Sequence, residues 1–194
     1  MGLAVMILGL VLFIGTHVVT TQRDLRGRLI GIGGEAVYKI GYAVLAILGI
    51  VLISYGFGAY REDGLIDLWF PPVWTKHLTA LLMLPMAILL AAAYSRGRIY
   101  AAVKHPMITA VKLWAVGHLI ANGDLGSIIL FGSLLAWAVY DRISLKRRAD
   151  PGGPRIPVGG PKNDAIAIGA GVVLYLALAF AFHPYVVGVP VFGA

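Results

Sequence analysis

Six blocks of the chain carry almost no charge: Gly2–Thr20, Ile40–Phe57, Leu78–Tyr94, Met107–Asn122, Leu125–Tyr140 and Ala165–Phe182. A helix rises about 1.5 Å per residue, so each block is about long enough to cross a ~30 Å hydrocarbon core. The two shortest require local thinning of the bilayer or snorkelling ends. The pattern predicts an all-α fold, a polytopic membrane bundle of six transmembrane helices, with residues 1–194 forming a single transmembrane domain.

The segments between the blocks have their own signals. Gly58–Lys76 contains Arg61, Glu62, Asp63 and Asp67, followed by Trp69, Phe70, Pro71, Pro72 and Trp74, a composition suited to an interfacial aromatic belt. Residues 141–164 are rich in Arg, Lys, Gly and Pro, including Asp150-Pro151-Gly152-Gly153-Pro154, and predict a mobile basic cytoplasmic loop. Asn122-Gly123-Asp124 predicts a tight turn. His105-Pro106 opens the fourth block, with proline where a missing N–H costs nothing. Pro184 follows the sixth block, and the uncharged tail from Tyr185 to Ala194 is expected in the interface.

Composition sharpens the class. Of 194 residues, 59% are hydrophobic and 13% charged, with mean hydropathy +0.86, more apolar surface than a water-soluble domain of this size could bury. Cysteine is absent, which excludes disulfides, thiolate zinc sites, iron–sulfur clusters and cysteine-ligated haem. The net charge of +7 would suit nucleic acid, but its placement does not. Thirteen of the sixteen basic residues fall after the first, third and fifth blocks. That asymmetry orients both termini to the outer, periplasmic side of a bacterial inner membrane and the basic loops to the cytoplasm. The expected partner is membrane lipid, at ~1 kcal/mol per basic residue near an anionic surface, and no nucleic acid. The first block lacks a basic flank before it and a small-residue cleavage site after it, and so reads as a retained helix.

Candidate chemistry concentrates in the fourth block, which carries Lys112, Trp114, His118 and Asn122 within the span. Ionisable groups at such depth are costly and usually face a bundle interior, a cavity or a cofactor. Trp114, His118 and Asn122 recur every four residues and share one stripe. In the first block Gly9, Phe13 and His17 do the same, and Gly9 permits close approach of a helix or a flat ligand. Two such histidine stripes facing each other would make a bis-imidazole site for a haem iron, which needs little beyond axial nitrogens and an apolar slot. The blander alternative is an interhelical hydrogen bond, worth roughly 0.6–2 kcal/mol. At ~1.5 Å per residue His17 stands ~8 Å and His118 ~16 Å from the inner surface, a difference that helix tilt must absorb. His105 precedes Pro106 at a helix start and suits a cap or phosphate contact as well as ligation. Lys112 can snorkel or neutralise a cofactor propionate. His77 and His183, beside Lys76 and Pro184, read as interfacial residues.

These motifs resemble the NnrU family of bacterial membrane proteins. The resemblance rests on Gly15-Thr16-His17 with Arg23 and Arg26, on Pro72-Val73-Trp74-Thr75-Lys76-His77-Leu78, and on His105-Pro106, Leu113-Trp114, His118-Leu119 and Asn122-Gly123-Asp124. It implies a role supporting denitrification, through nitrite and nitric oxide reduction. The family is also similar to 15-cis-zeta-carotene isomerase, a membrane enzyme with histidine-ligated haem. That similarity implies b-type haem on His17 and His118, and a lipophilic small molecule or nitric oxide as partner. An isomerase acting on a lipophilic polyene is the alternative function. His105-Pro106 also resembles the motif of small membrane methyltransferases. Lys104 replaces the arginine of that motif, however, and no acidic residue follows Asp164 to bind S-adenosylmethionine.

Overall fold

In a bilayer every backbone polar group must be satisfied within the protein, and a helix does this with its own hydrogen bonds. The computed structural model describes residues 1–148 and 157–192 and is helical almost throughout. Helices α1 (Gly2–Thr21), α2 (Arg23–Glu62), α3 (Val73–Ser95), α4 (Arg98–Val103), α5 (Pro106–Ala121), α6 (Leu125–Arg147) and α7 (Pro161–Ala177) are followed by a π-helical segment, Leu178–Val187. Among the described residues, five helices are long and apolar enough to cross a membrane: α1, α2, α3, α6 and the continuous run Pro161–Val187. The chain is therefore a multi-pass membrane protein by length and composition. The remaining expected crossing, Met107–Asn122, corresponds to α5, whose 16 residues span about 24 Å.

Contacts divide the chain into two compact units. The first comprises Met1–Phe70 and Gly123–Arg148, and the second Pro71–Asn122 with the described part of Ala149–Ala194.

In the first unit α1 and α2 run antiparallel with their backbones in contact. Gly2 and Gly9 on α1 meet Gly56 and Gly49 on α2, each pair seven residues apart along its helix. A Cβ on Gly9 would stand 2.6 Å from the Ile53 nitrogen, and one on Gly49 would stand 2.9 Å from the Phe13 Cβ. Small residues substitute here for a hydrophobic driving force that lipid does not supply. The open side of Gly9 is thus filled by α2. Met6 and Leu10 are buried in the same seam, and Leu130, Phe131, Leu134 and Ala138 of α6 complete the core. Ile66 and Gly123 carbonyls accept from Leu125, Leu68 and Trp69 amides, while the buried Asp124 caps α6 by accepting from Ser127 N–H at 2.9 Å.

Two expectations about loops change. The basic segment after the first span is helical: α2 begins at Arg23 and runs for 40 residues, bent at Gly34 with φ 81°. Only glycine adopts that conformation without strain, so the charges read as a loop instead decorate a kinked helix. The segment 141–164 is also shorter than expected. Residues Asp141–Arg147 extend α6, and Asp141 pairs with Arg148 at 3.7 Å. Pro161–Asp164 start α7, and the Asp150–Pro154 run lies outside the described residues.

In the second unit α3 packs against both α5 and α7. Thr79 Oγ1 donates to the Gly117 carbonyl at 2.7 Å, and Gly171 sits against the backbone of Ile88. Asp164 of α7 accepts from the Ile99 amide at 3.0 Å and so caps the short α4. The last span was expected to end before Pro184. It continues instead as ten residues of π-helix to Val187, where Gly188 with φ 76° stops it. The wider turn gives the proline ring space that an α-helix would deny it, since there the ring clashes with the carbonyl four residues back.

The glycine seam yields a direct test. Gly9→Leu and Gly56→Leu should each destabilise the detergent-solubilised protein by about 1–3 kcal/mol through overpacking. Gly15→Leu faces open space and should stay within ~0.5 kcal/mol of wild type. Unfolding monitored by circular dichroism measures both, and equal effects at Gly9 and Gly15 would contradict the seam.

Candidate functional site: an imidazole-walled cavity

The second unit contains a cavity of about 240 Å³ between α3, α5, the π-helical segment and the tail. Its walls are mostly apolar, from Ala80, Met83, Met86, Leu178, Ala179, Phe182 and Val189–Val191. The polar wall groups are Lys76, Thr79, Trp114, His118, Asn122, Tyr175 and His183. A largely apolar cavity with a few convergent polar groups is the usual form of a small-molecule site.

The α5 wall follows from helical spacing. Trp114, His118 and Asn122 recur every four residues and all face the cavity. His118 Nδ1 lies 2.8 Å from the Trp114 carbonyl, and Asn122 Nδ2 donates to the His118 carbonyl at 2.8 Å. A carbonyl can only accept, so the Nδ1 of His118 carries the proton. Its Nε2 therefore holds the lone pair, the arrangement found in metal-ligating histidines whose other nitrogen is anchored. The Trp114 ring, 5.3 Å from the imidazole, packs against it on the same helix.

His183, read from the sequence as an interfacial residue, also lines the cavity. Its ring stands 6.1 Å from that of His118, with 33° between the planes. The available signal was a spacing of four running from Gly171 through Tyr175 and Ala179 to His183. Gly171 packs on α3 and the other three line the cavity. The tail also has a role here. Val189 N–H donates to the His183 carbonyl at 3.1 Å, and Phe192 stacks on Phe180 at 5.4 Å, which folds Val189–Val191 into the wall.

The other candidates lie elsewhere. His105 is the N-cap residue of α5, and its carbonyl accepts from the Thr109 amide and hydroxyl. Lys112 is half-buried on α5, about 120° around the helix from His118, and neither it nor His105 belongs to the cavity wall. His77 is exposed near the start of α3.

His17 belongs to the first unit and occupies an aromatic box. Its ring centroid lies 4.1 Å from Phe13, 5.1 Å from Trp137 and 5.3 Å from Tyr42. Its Nδ1 is 2.7 Å from the Phe13 carbonyl, so His17 and His118 share one tautomer for the same reason. Two buried donors beside this box, Trp137 Nε1 and Tyr38 Oη, make no hydrogen bond among the described residues. Tyr38 packs on Tyr42 at 6.5 Å and carries the Arg26 guanidinium 5.6 Å over its ring.

Fold and site together define a multi-pass helical membrane protein with an apolar cavity walled by two imidazoles. The chain belongs to the NnrU protein family, whose model matches residues 5–191, nearly its whole length. No curated protein and no solved structure matches it.

The aromatic box makes a prediction of its own. A buried hydroxyl without a partner is a net cost, so Tyr38→Phe should leave stability unchanged or raise it by about 1 kcal/mol. Chemical unfolding in detergent measures this. A loss above ~1 kcal/mol would mean that the hydroxyl serves a partner in the membrane.

Proposed function

We propose that this NnrU-family protein holds a b-type haem in the cavity of the second unit and supports denitrification from the bacterial inner membrane. The observation that carries the reading is His118. Its Nδ1–H is committed to the Trp114 carbonyl and its Nε2 carries the lone pair within an apolar cavity. The donor set suits haem, which takes imidazole nitrogen axially and otherwise needs an apolar slot. His183, in the same cavity, supplies the second imidazole. His17, the partner implied by the family resemblance, sits within its own ring box of Phe13, Tyr42 and Trp137.

When bound, the haem supplies one-electron exchange and an iron site that recognises nitric oxide. The protein's own residues position and exclude. Trp114 and Asn122 hold the α5 wall, the first by its tilted ring contact with His118 and the second through the His118 carbonyl. Met83, Met86, Leu178 and Phe182 keep the cavity apolar and disfavour water. These walls equally suit a lipophilic polyene, and this keeps cis–trans isomerisation as the second reading. A carotene-isomerisation assay on the haem-loaded protein separates the two: turnover favours the isomerase, whereas reversible nitric oxide binding without turnover favours the denitrification role.

The haem reading has a spectroscopic test. Protein purified after haem-replete expression should show a Soret band that is lost in His118→Ala, diminished or shifted in His183→Ala and kept in His17→Ala. Loss in His17→Ala with no change in His183→Ala would restore the pair His17 and His118. A colourless wild-type protein would contradict the whole reading.

We further propose six crossings with both termini periplasmic, on the strength of the basic-residue asymmetry. Because the chain has no cysteine, single-cysteine variants need no background mutations. In spheroplasts an impermeant maleimide should label Leu65→Cys and leave Arg98→Cys unlabelled until the membrane is opened. The reverse pattern would invert the topology.

A further inference from the structure

The cavity is not uniformly apolar, and its polarity has a direction. Among the described wall residues Lys76 is the one with an ammonium or carboxylate group. It is exposed, in the first turn of α3, three residues before Thr79. Thr79 Oγ1 donates at 2.7 Å to the carbonyl of Gly117, the residue next to His118. Three helical residues rise about 4.5 Å, so Lys76 stands one turn outward from the level of the imidazole. The interior beyond it is lined by Ala80, Met83 and Met86 at the following turns of the same helix. An apolar chamber with imidazoles inside and one cation at its rim is complementary to an amphiphile with an acidic end.

We infer that Lys76 binds the carboxylate edge of the ligand and so fixes which way the ligand enters. The inference rests on the haem reading and names the part of haem concerned: the propionates pair with the Lys76 ammonium while the apolar edge of the ring goes inward. The helix end is the right place for this contact. A carboxylate left at the cavity interior would lose its hydration without a partner, whereas at the first turn of α3 it keeps both water and a cation. Lys112, the other lysine near His118 in sequence, is not part of the wall and takes no part.

The experiment uses the full chain in detergent, stripped of pigment, and titrates ferric protoporphyrin IX and its dimethyl ester while following the Soret band. The ester keeps the ring and the iron and removes both acidic ends. Wild type should bind the diacid about fivefold more tightly than the diester, the scale of an exposed ion pair of ~1 kcal/mol. Lys76→Gln should keep the Soret position and lose the preference, Lys76→Arg should retain it, and Lys112→Gln should behave as wild type. Equal affinity for diacid and diester in wild type would overturn the role of Lys76 while leaving the haem reading intact. So would a preference that survives Lys76→Gln, which is also the result expected if Lys76 serves only a lipid phosphate. Absence of a Soret band with either pigment would overturn the haem reading and the Lys76 inference with it.

Discussion

The absence of water in the hydrocarbon core governs how this protein treats its polar side chains. Thr16 donates to the Leu12 carbonyl, Thr20 to His17, Thr21 to Val18, Thr109 to His105 and Ser133 to Leu130. Each side chain turns back onto a carbonyl three or four residues earlier, which satisfies its hydroxyl without solvent. The histidines obey the same constraint. His17 and His118 each give Nδ1–H to the carbonyl four residues back. An imidazole has two nitrogens and the helix can satisfy one of them. In both residues the Nδ1 contact fixes the tautomer and puts the lone pair on Nε2.

Packing follows a related economy of size. Lipid offers no hydrophobic drive between helices, so close backbone approach supplies the attraction through dispersion. Gly2, Gly9, Gly49 and Gly56 provide it in the first unit, and Gly117 and Gly171 in the second. In the second unit these contacts hold α3 between α5 and α7 at their small residues. Larger side chains around these contacts, Met83, Met86, Tyr175 and Phe182, line the cavity. The π-helical segment contributes by carrying the stripe past Pro184 and turning the tail back over the cavity.

How much of this could be read beforehand depends on which force decides each feature. Five of the spans were legible because length and hydropathy are what the bilayer selects. The stripe Trp114, His118 and Asn122 was legible because α5 is regular, and all three line the cavity. The extent of α2 was hidden: Arg23, Arg26, Arg28 and Lys39 look like loop charges, yet a helix tolerates them and Gly34 absorbs the bend. His183 was hidden by Pro184, which normally ends a helix but is accommodated here by the π register. The place of Lys76 on the cavity wall was hidden because that wall is formed by residues up to 115 positions away in sequence, at Val191. Gly9 could have faced a ligand or a helix, and only the seam with Gly49 decided between them.

The central claim is that one anchored imidazole, His118, offers its Nε2 to a metal within the cavity, and cavity rescue tests it most directly. His118→Gly protein, mixed with haem, should lack the low-spin ferric spectrum of wild type and gain it when free imidazole is added, since the small molecule can occupy the space the side chain left. A His118→Gly protein whose spectrum already equals wild type, or one that free imidazole leaves unchanged, would contradict the claim.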